Sequence, residues 1–170
     1  MSESGSEDRV EAVLGLIIRE HEVLLMHRSQ DPNRGLWTPP GGKCLPGESP
    51  FEALDRELLE ETGRRVVARS FVGILLETVA GAPGWRHHLF VCDLEDGSIR
   101  EQCSEGVFQW VGVDQVLENV LPIPQADRIF WPWIFDRSAP LFQAHFEYDR
   151  DEQLVGWTRS PMEKYGKTGC

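Results

Sequence analysis

The stretch from Ser49 to Gly63 carries helix signals at both ends, and few conformations other than a helix satisfy both. Ser49 and Glu52 stand at capping-box spacing, Pro50 takes a first helical position where no N–H is needed, and Gly63 stands where a left-handed residue closes the last turn. Phe51, Leu54 and Leu58 fall in one narrow arc, so the spacing predicts a helix over about Pro50 to Thr62 with a buried stripe. Just upstream, Pro39-Pro40-Gly41-Gly42 excludes regular helix or central strand and predicts a tight loop leading into it.

On that helix Glu57, Glu60 and Glu61 span about 100° of arc, with Cβ atoms of the i, i+3 and i+4 neighbours about 5 to 6 Å apart. Their face lies apart from the apolar stripe, so one side can be buried while the other offers oxygen ligands. Like charges at this spacing repel, and a cation is expected among them. Oxygen ligands without clustered Cys or His favour Mg²⁺ or Mn²⁺. Arg56 and Glu48 could pair and fix the loop against the helix, and Gly41 and Gly42 leave backbone carbonyls unobstructed by side chains. Three glutamates alone are more often a solvated surface; the spacing of the whole string is what changes that reading.

Elsewhere the chain reads mostly as strands. Val13 to Ile18 and Val23 to Met26 flank a polar turn and suggest a hairpin; further strands are expected at Val66 to Val79, with a break, at Leu89 to Cys92 and at Val107 to Val113. Short helices are expected at Asp114 to Asn119 and at about Ala126 to Phe135, where Pro132 should kink or end the second. Phe142 to Tyr148 and Gln153 to Thr158 read as a terminal hairpin. Many strands with a few helices imply one mixed α+β domain over 10–158, between tails at 1–9 and 159–170. The length of 170 residues suits a single domain.

With 17 basic and 28 acidic residues the net charge is −11, which argues against a nucleic-acid duplex or an anionic membrane as partner. No uncharged apolar run approaches the roughly 20 residues a membrane span needs. The acidic N-terminus lacks the features of an export signal, and Cys44, Cys92, Cys103 and Cys170 lack disulfide or zinc spacing, so free thiols in a cytoplasmic protein are expected.

Gly42, five residues, Glu48, seven residues, then Arg56-Glu57-Leu58-Leu59-Glu60-Glu61-Thr62-Gly63 resembles the Nudix box. A chance match at all seven fixed positions is of order 10⁻⁶ over a chain this long, taking average residue frequencies. One position departs: the box closes with an aliphatic residue, and this chain has Arg64, which bears on packing at the helix exit and not on a ligand. The stretch Val23 to Arg28, the Gly35-Leu36-Trp37 approach and the aromatic segment from Asp127 are similar to the MutT-type diphosphatases of oxidised purine nucleoside triphosphates.

The resemblance implies an α/β/α sandwich with a mixed sheet and hydrolysis of a diphosphate linked to another moiety. It implies Glu57, Glu60 and Glu61 as metal ligands, a carbonyl of Gly41 or Gly42 as a further one, and Arg56 and Glu48 as residues that orient the site. Glu61 and Glu105 are the candidate general bases. Arg28, Trp37, Thr38 and Asp127 would face the substrate. Thr38 stands where the subgroup has Asn, and Ala126 beside Asp127 where it has two acids; a single acid lacks the like-charged neighbour that could keep it protonated. Phe130, Trp131, Trp133 and Phe135 read more as core than as a stacking pocket, and His87 and His88 more as sheet residues than as substrate contacts. The expected partner is a small-molecule nucleotide: a nucleoside triphosphate first, ADP-ribose or a nucleotide sugar as the alternative, with a non-catalytic sensing module behind both. A homodimer is left open.

Overall fold

A computed structural model describes residues 9–163. The expected hairpin is present as β1 (Val10–Arg19) and β2 (Glu22–Arg28), followed by two short strands, β3 (Trp37–Thr38) and β4 (Gly41–Lys43). Helix α1 (Pro50–Thr62) leads to β5 (Val66–Val79), β6 (Trp85–Leu94), β7 (Gln102–Cys103) and β8 (Gly106–Gly112). Two helices, α2 (Val113–Leu117) and α3 (Gln125–Phe135), precede the closing hairpin of β9 (Phe142–Tyr148) and β10 (Leu154–Pro161).

The strands form one mixed sheet in the order β10-β9-β5-β6-β1-β2-β8-β7, with β3 added to β2 and β4 to β1. β1 runs parallel to β6 and β5 parallel to β9, while the remaining pairs are antiparallel. Side chains alternate across a strand, and here the alternation sorts them into two cores. Val13 and Ile17 of β1, Leu24 and Met26 of β2 and Phe90 of β6 pack with Ala53, Leu54 and Leu58 of α1. Leu16, Val23, Leu25 and Leu89 point the other way, onto Val116 of α2 and Phe130, Trp131 and Ile134 of α3. Helices thus cover both faces, the expected sandwich, and the late aromatics are core as read.

Three features differ from expectation. β5 is continuous, because two bulges, between Val66 and Ala68 and between Phe71 and Gly73, absorb the irregularity that reads as a break. α3 ends at Phe135 as expected, with Pro132 inside it. The proline removes one N–H late in the helix, and the Asp136 N–H closes the final turn on the Pro132 carbonyl at 3.2 Å. β10 extends three residues beyond the expected domain edge at 158, since Arg159, Ser160 and Pro161 stay paired with Ala144, Gln143 and Phe142 of β9. Phe51, expected in the buried stripe, is 38% exposed, and Ala53 takes its place in the core. The readings for 1–8 and 164–170, Cys170 included, lie outside the described residues.

Candidate active site

β1 and β2 pair only near their turn, at Ile18–Val23 and Arg19–Glu22. Toward its N-terminal end β1 pairs instead with β4, Val13 opposite Gly42 and Leu14 opposite Gly41. This divergence lays the Gly-Gly segment beside α1. The helix is fixed as the sequence dictates: Ser49 and Glu52 cap each other reciprocally, and Gly63, left-handed at φ 73°, donates to the Leu59 carbonyl at 3.0 Å. A Cβ at Gly42 would fall on the Glu57 carboxyl, so only glycine lets that carboxyl lie against β4.

Arg56 grips Glu48 with two bonds of 2.8 Å, donates to Glu57 Oε1 at 2.7 Å, and reaches the Lys43 carbonyl at 3.0 Å. The guanidinium bonds hold Glu48 down to about 2. One arginine therefore ties the loop, the helix and one oxygen of Glu57 into a single corner.

Glu61 lies at the edge of the apolar arc and is 6% exposed, so the acidic and apolar faces of α1 are not fully separate. At about 100° per residue Glu61 sits only about 20° from Leu54 on the helical wheel, which carries it under β4. Its Oε2 accepts the Gly41 N–H at 2.9 Å, while Oε1 is buried without a partner. Burial, then the charges of Glu57 and Glu105, pushes Glu61 up to about 8. Glu57 is raised for the same reason, burial outweighing the Arg56 bond. Glu105, in the turn before β8, pairs with Arg28 at 3.0 Å. Glu60 is more open, with its side chain 59% exposed and one oxygen 3.5 Å from Arg56.

Among the described residues, no three acidic, His or Cys side chains are gathered closely enough to hold a metal ion as they stand. The donor set nevertheless fits a hard divalent cation. Glu61 Oε1 is an orphaned buried oxygen, Gly42 leaves room for the Glu57 carboxyl, and both carboxyls are raised chiefly by burial, with further negative charge beside them that a cation would offset.

A model of the NUDIX domain matches residues 8–134. The chain belongs to the Nudix family. A relative from Danio rerio named oxidized purine nucleoside triphosphate hydrolase is 30% identical over 84% of this chain and 88% of its own. The CTP pyrophosphohydrolase of Escherichia coli is 31% identical over 69% of this chain and 85% of its own. The solved structure of a MutT protein from Bacillus halodurans superposes with a TM-score of 0.78 at 29% identity, covering 90% of this chain and 99% of that one. This Nudix protein is accordingly a hydrolase of nucleotide-linked diphosphates, in a family that generally uses divalent metal ions. Among the described residues no helix is long and apolar enough to cross a membrane.

The other expected site residues divide by face. Trp37 pairs with His27, stacks on its ring at 4.8 Å and packs against the α3-side core. Thr38, 7% exposed, lies opposite Met26 and so on the α1 side. Trp37 therefore shares a face with Asp127, which is 8% exposed on α3, and Thr38 does not. His88 is on the α1 side, its Nε2 2.7 Å from Glu11.

His87 points to the α3 side, stacked on Trp85 at 5.5 Å, with Nδ1 buried and unpartnered; burial pushes its imidazole down to about 4. The sequence reading left Asp127 without an acidic neighbour, and the structure corrects this. Burial and then the charge of Glu77 on β5 raise Asp127 well above the usual carboxylate range. Glu77 had a signal in the sequence, a charge two residues from the core Leu75 on the same face of a strand.

Proposed function

We propose that the chain is a Mg²⁺-dependent pyrophosphohydrolase that converts a nucleoside triphosphate to the monophosphate and pyrophosphate. The observation that carries this is the orphaned Glu61 Oε1 beside the raised, glycine-cradled Glu57 carboxyl. A cation between them would engage the open oxygen and offset the repulsion of the two carboxylates.

Glu57 and Glu61 would hold the cation, with Glu60 completing the set from the open side and the Gly41 or Gly42 carbonyl available next to them. Bound there, the ion would offset charge on the phosphate oxygens and lower the pKa of a water. The residues of the chain supply the rest. Arg56 fixes the Glu57 carboxyl through one oxygen and leaves the other for ligation. Gly41 N–H fixes Glu61 in the same manner.

Of the two candidate bases, Glu105 is engaged by Arg28 and 43% exposed, whereas Glu61 has a buried free oxygen. That oxygen is assigned to the cation, so Glu105 is the candidate left to take a proton from an attacking water, a role that typically contributes about 10² to 10⁴ in rate. Arg28, 13% exposed in its side chain and held between Glu105 and the Pro32 carbonyl, would meet the phosphate chain. On the α3 side, Trp37 and Asp127 would meet the base. The names of the two relatives, one acting on oxidised purine triphosphates and one on CTP, favour a triphosphate.

The test is hydrolysis of a panel with Mg²⁺: 8-oxo-dGTP, the ordinary dNTPs and ADP-ribose, with products identified. Triphosphates should yield pyrophosphate and the monophosphate. Turnover of ADP-ribose alone, giving AMP and ribose 5-phosphate, would overturn the triphosphate reading, and no turnover by folded, metal-loaded protein would overturn both.

A further inference from the structure

The α3 side of the sheet holds polar groups that the fold does not satisfy. His87 Nδ1 is buried without a hydrogen-bond partner. The Asp127 carboxyl takes a backbone N–H of its own residue, and burial raises the half-buried Glu77 with no hydrogen bond among the described residues to offset it. Buried polar groups are nearly always paired, so an open imidazole nitrogen on the same face as two desolvated carboxyls points to a ligand's polar edge.

The register brings the set together. Leu75 of β5 lies opposite His87 of β6, and Glu77 opposite Trp85, so all four side chains share one face. Leu75 belongs to the core beneath α3, as do Phe130 and Trp131 on the same helix as Asp127. The charge of Glu77 reaches Asp127, and both reach Tyr148 of β9. The Trp85 ring lies nearly parallel to His87, at 3°, with the Lys43 ammonium 5.3 Å from its centre. Lys43 directly follows the Gly-Gly segment at the α1 site, so this wall begins where the phosphate chemistry ends.

We propose that Glu77 is a specificity-determining residue: together with Asp127 it forms a two-carboxyl wall that selects a nucleobase edge carrying two adjacent N–H donors, as in a 2-amino-6-oxopurine. This rests on the reading of the substrate as a nucleotide whose base enters the α3 side. In its charged form a carboxylate accepts and does not donate, so two of them on one face of the sheet favour an edge rich in donors. N–H bonds to the charged form relieve the burial that raises both groups. A base with a single donor on that edge would leave one carboxyl desolvated and unpaired. Tyr148, whose oxygen takes the Ala126 backbone N–H, keeps its own O–H for the adjacent carbonyl oxygen of such a base.

The test is equilibrium binding of GMP and IMP without metal to the wild type and to Glu77→Gln. The two ligands differ only in the 2-amino group. The wild type should bind GMP at least about tenfold more tightly than IMP, the lower end of what one hydrogen bond to a charged group contributes. In Glu77→Gln the ratio should fall toward 1. Each ratio is taken within one protein, so a general loss of stability cancels, and the wild-type ratio needs no variant at all. Equal affinities in the wild type, or a ratio unchanged in Glu77→Gln, would overturn the proposal. Metal-dependent turnover is not read in this assay, so an enzyme that cleaves triphosphates yet binds GMP and IMP alike refutes the role of Glu77 and leaves the reaction standing.

Discussion

Replacing Glu77 by Gln should make the fold less sensitive to rising pH. Burial raises the Glu77 carboxyl to about 7 in the folded chain, against 4.5 when exposed. The native state therefore favours the protonated form. Its contribution to stability is fully present below pH 4.5 and is lost as the pH rises through 7. Each unit of difference corresponds to about 1.4 kcal/mol, so between pH 5 and pH 8 this one group removes about 2 kcal/mol, after allowance for its residual exposure. Glutamine has the same shape and no proton to lose. Urea unfolding at pH 5, 6.5 and 8 reads the effect, with the slope on denaturant unchanged between the two proteins. The variant should gain on the wild type by about 2 kcal/mol across that span. Asp127→Asn should act in the same direction, and the double variant should fall short of the sum, because the charge of Glu77 is part of what raises Asp127. Parallel stability curves for wild type and Glu77→Gln from pH 5 to 8 would refute the argument.

The two glycines before α1 should part company. Gly42→Ala displaces only the far end of the Glu57 side chain, so the melting temperature should hold within a few degrees while kcat/KM falls by about 10² or more. In Gly41→Ala the new Cβ meets the Val13 backbone at φ 155°, and the fold itself should weaken, by about 2 kcal/mol or more in denaturant unfolding. Glu57→Gln should lose turnover by about 10² or more with the far-UV circular dichroism unchanged. Arg56→Lys cannot reproduce the two-bond grip on Glu48 or reach Glu57 and the Lys43 carbonyl at once, so it should lose about 1 to 2 kcal/mol of stability and turnover together, measured by thermal unfolding and steady-state kinetics.

What the sequence discloses about this molecule follows how locally each feature is encoded. The caps of α1 use residues within fifteen positions of one another, and Ser49, Glu52 and Gly63 behave as their chemistry requires wherever the helix docks. The Arg56–Glu48 pair is legible for a similar reason: the helix fixes one partner, and the short loop leaves the other few places to go. Glu61 is where the helical wheel alone misleads. Its angle puts it near the acidic arc and also near Leu54, and only the approach of β4, through the Gly41 N–H, decides that it is buried.

The wall on the α3 side has no local code at all. Asp127, Glu77, His87 and Tyr148 come from α3, β5, β6 and β9, and two bulges in β5 set which of its side chains face inward. A single slip in that strand would turn Glu77 to the opposite face. The sequence therefore shows Asp127 with one acid missing beside it, although the missing charge is present 50 residues upstream, supplied by register. The half proposed to be catalytic can be read from one helix and its approach loop, because the side chains that would meet a cation stand a turn apart. The half proposed to distinguish one base from another is assembled across the sheet, where a change at one position can be made good by a strand far away in the chain.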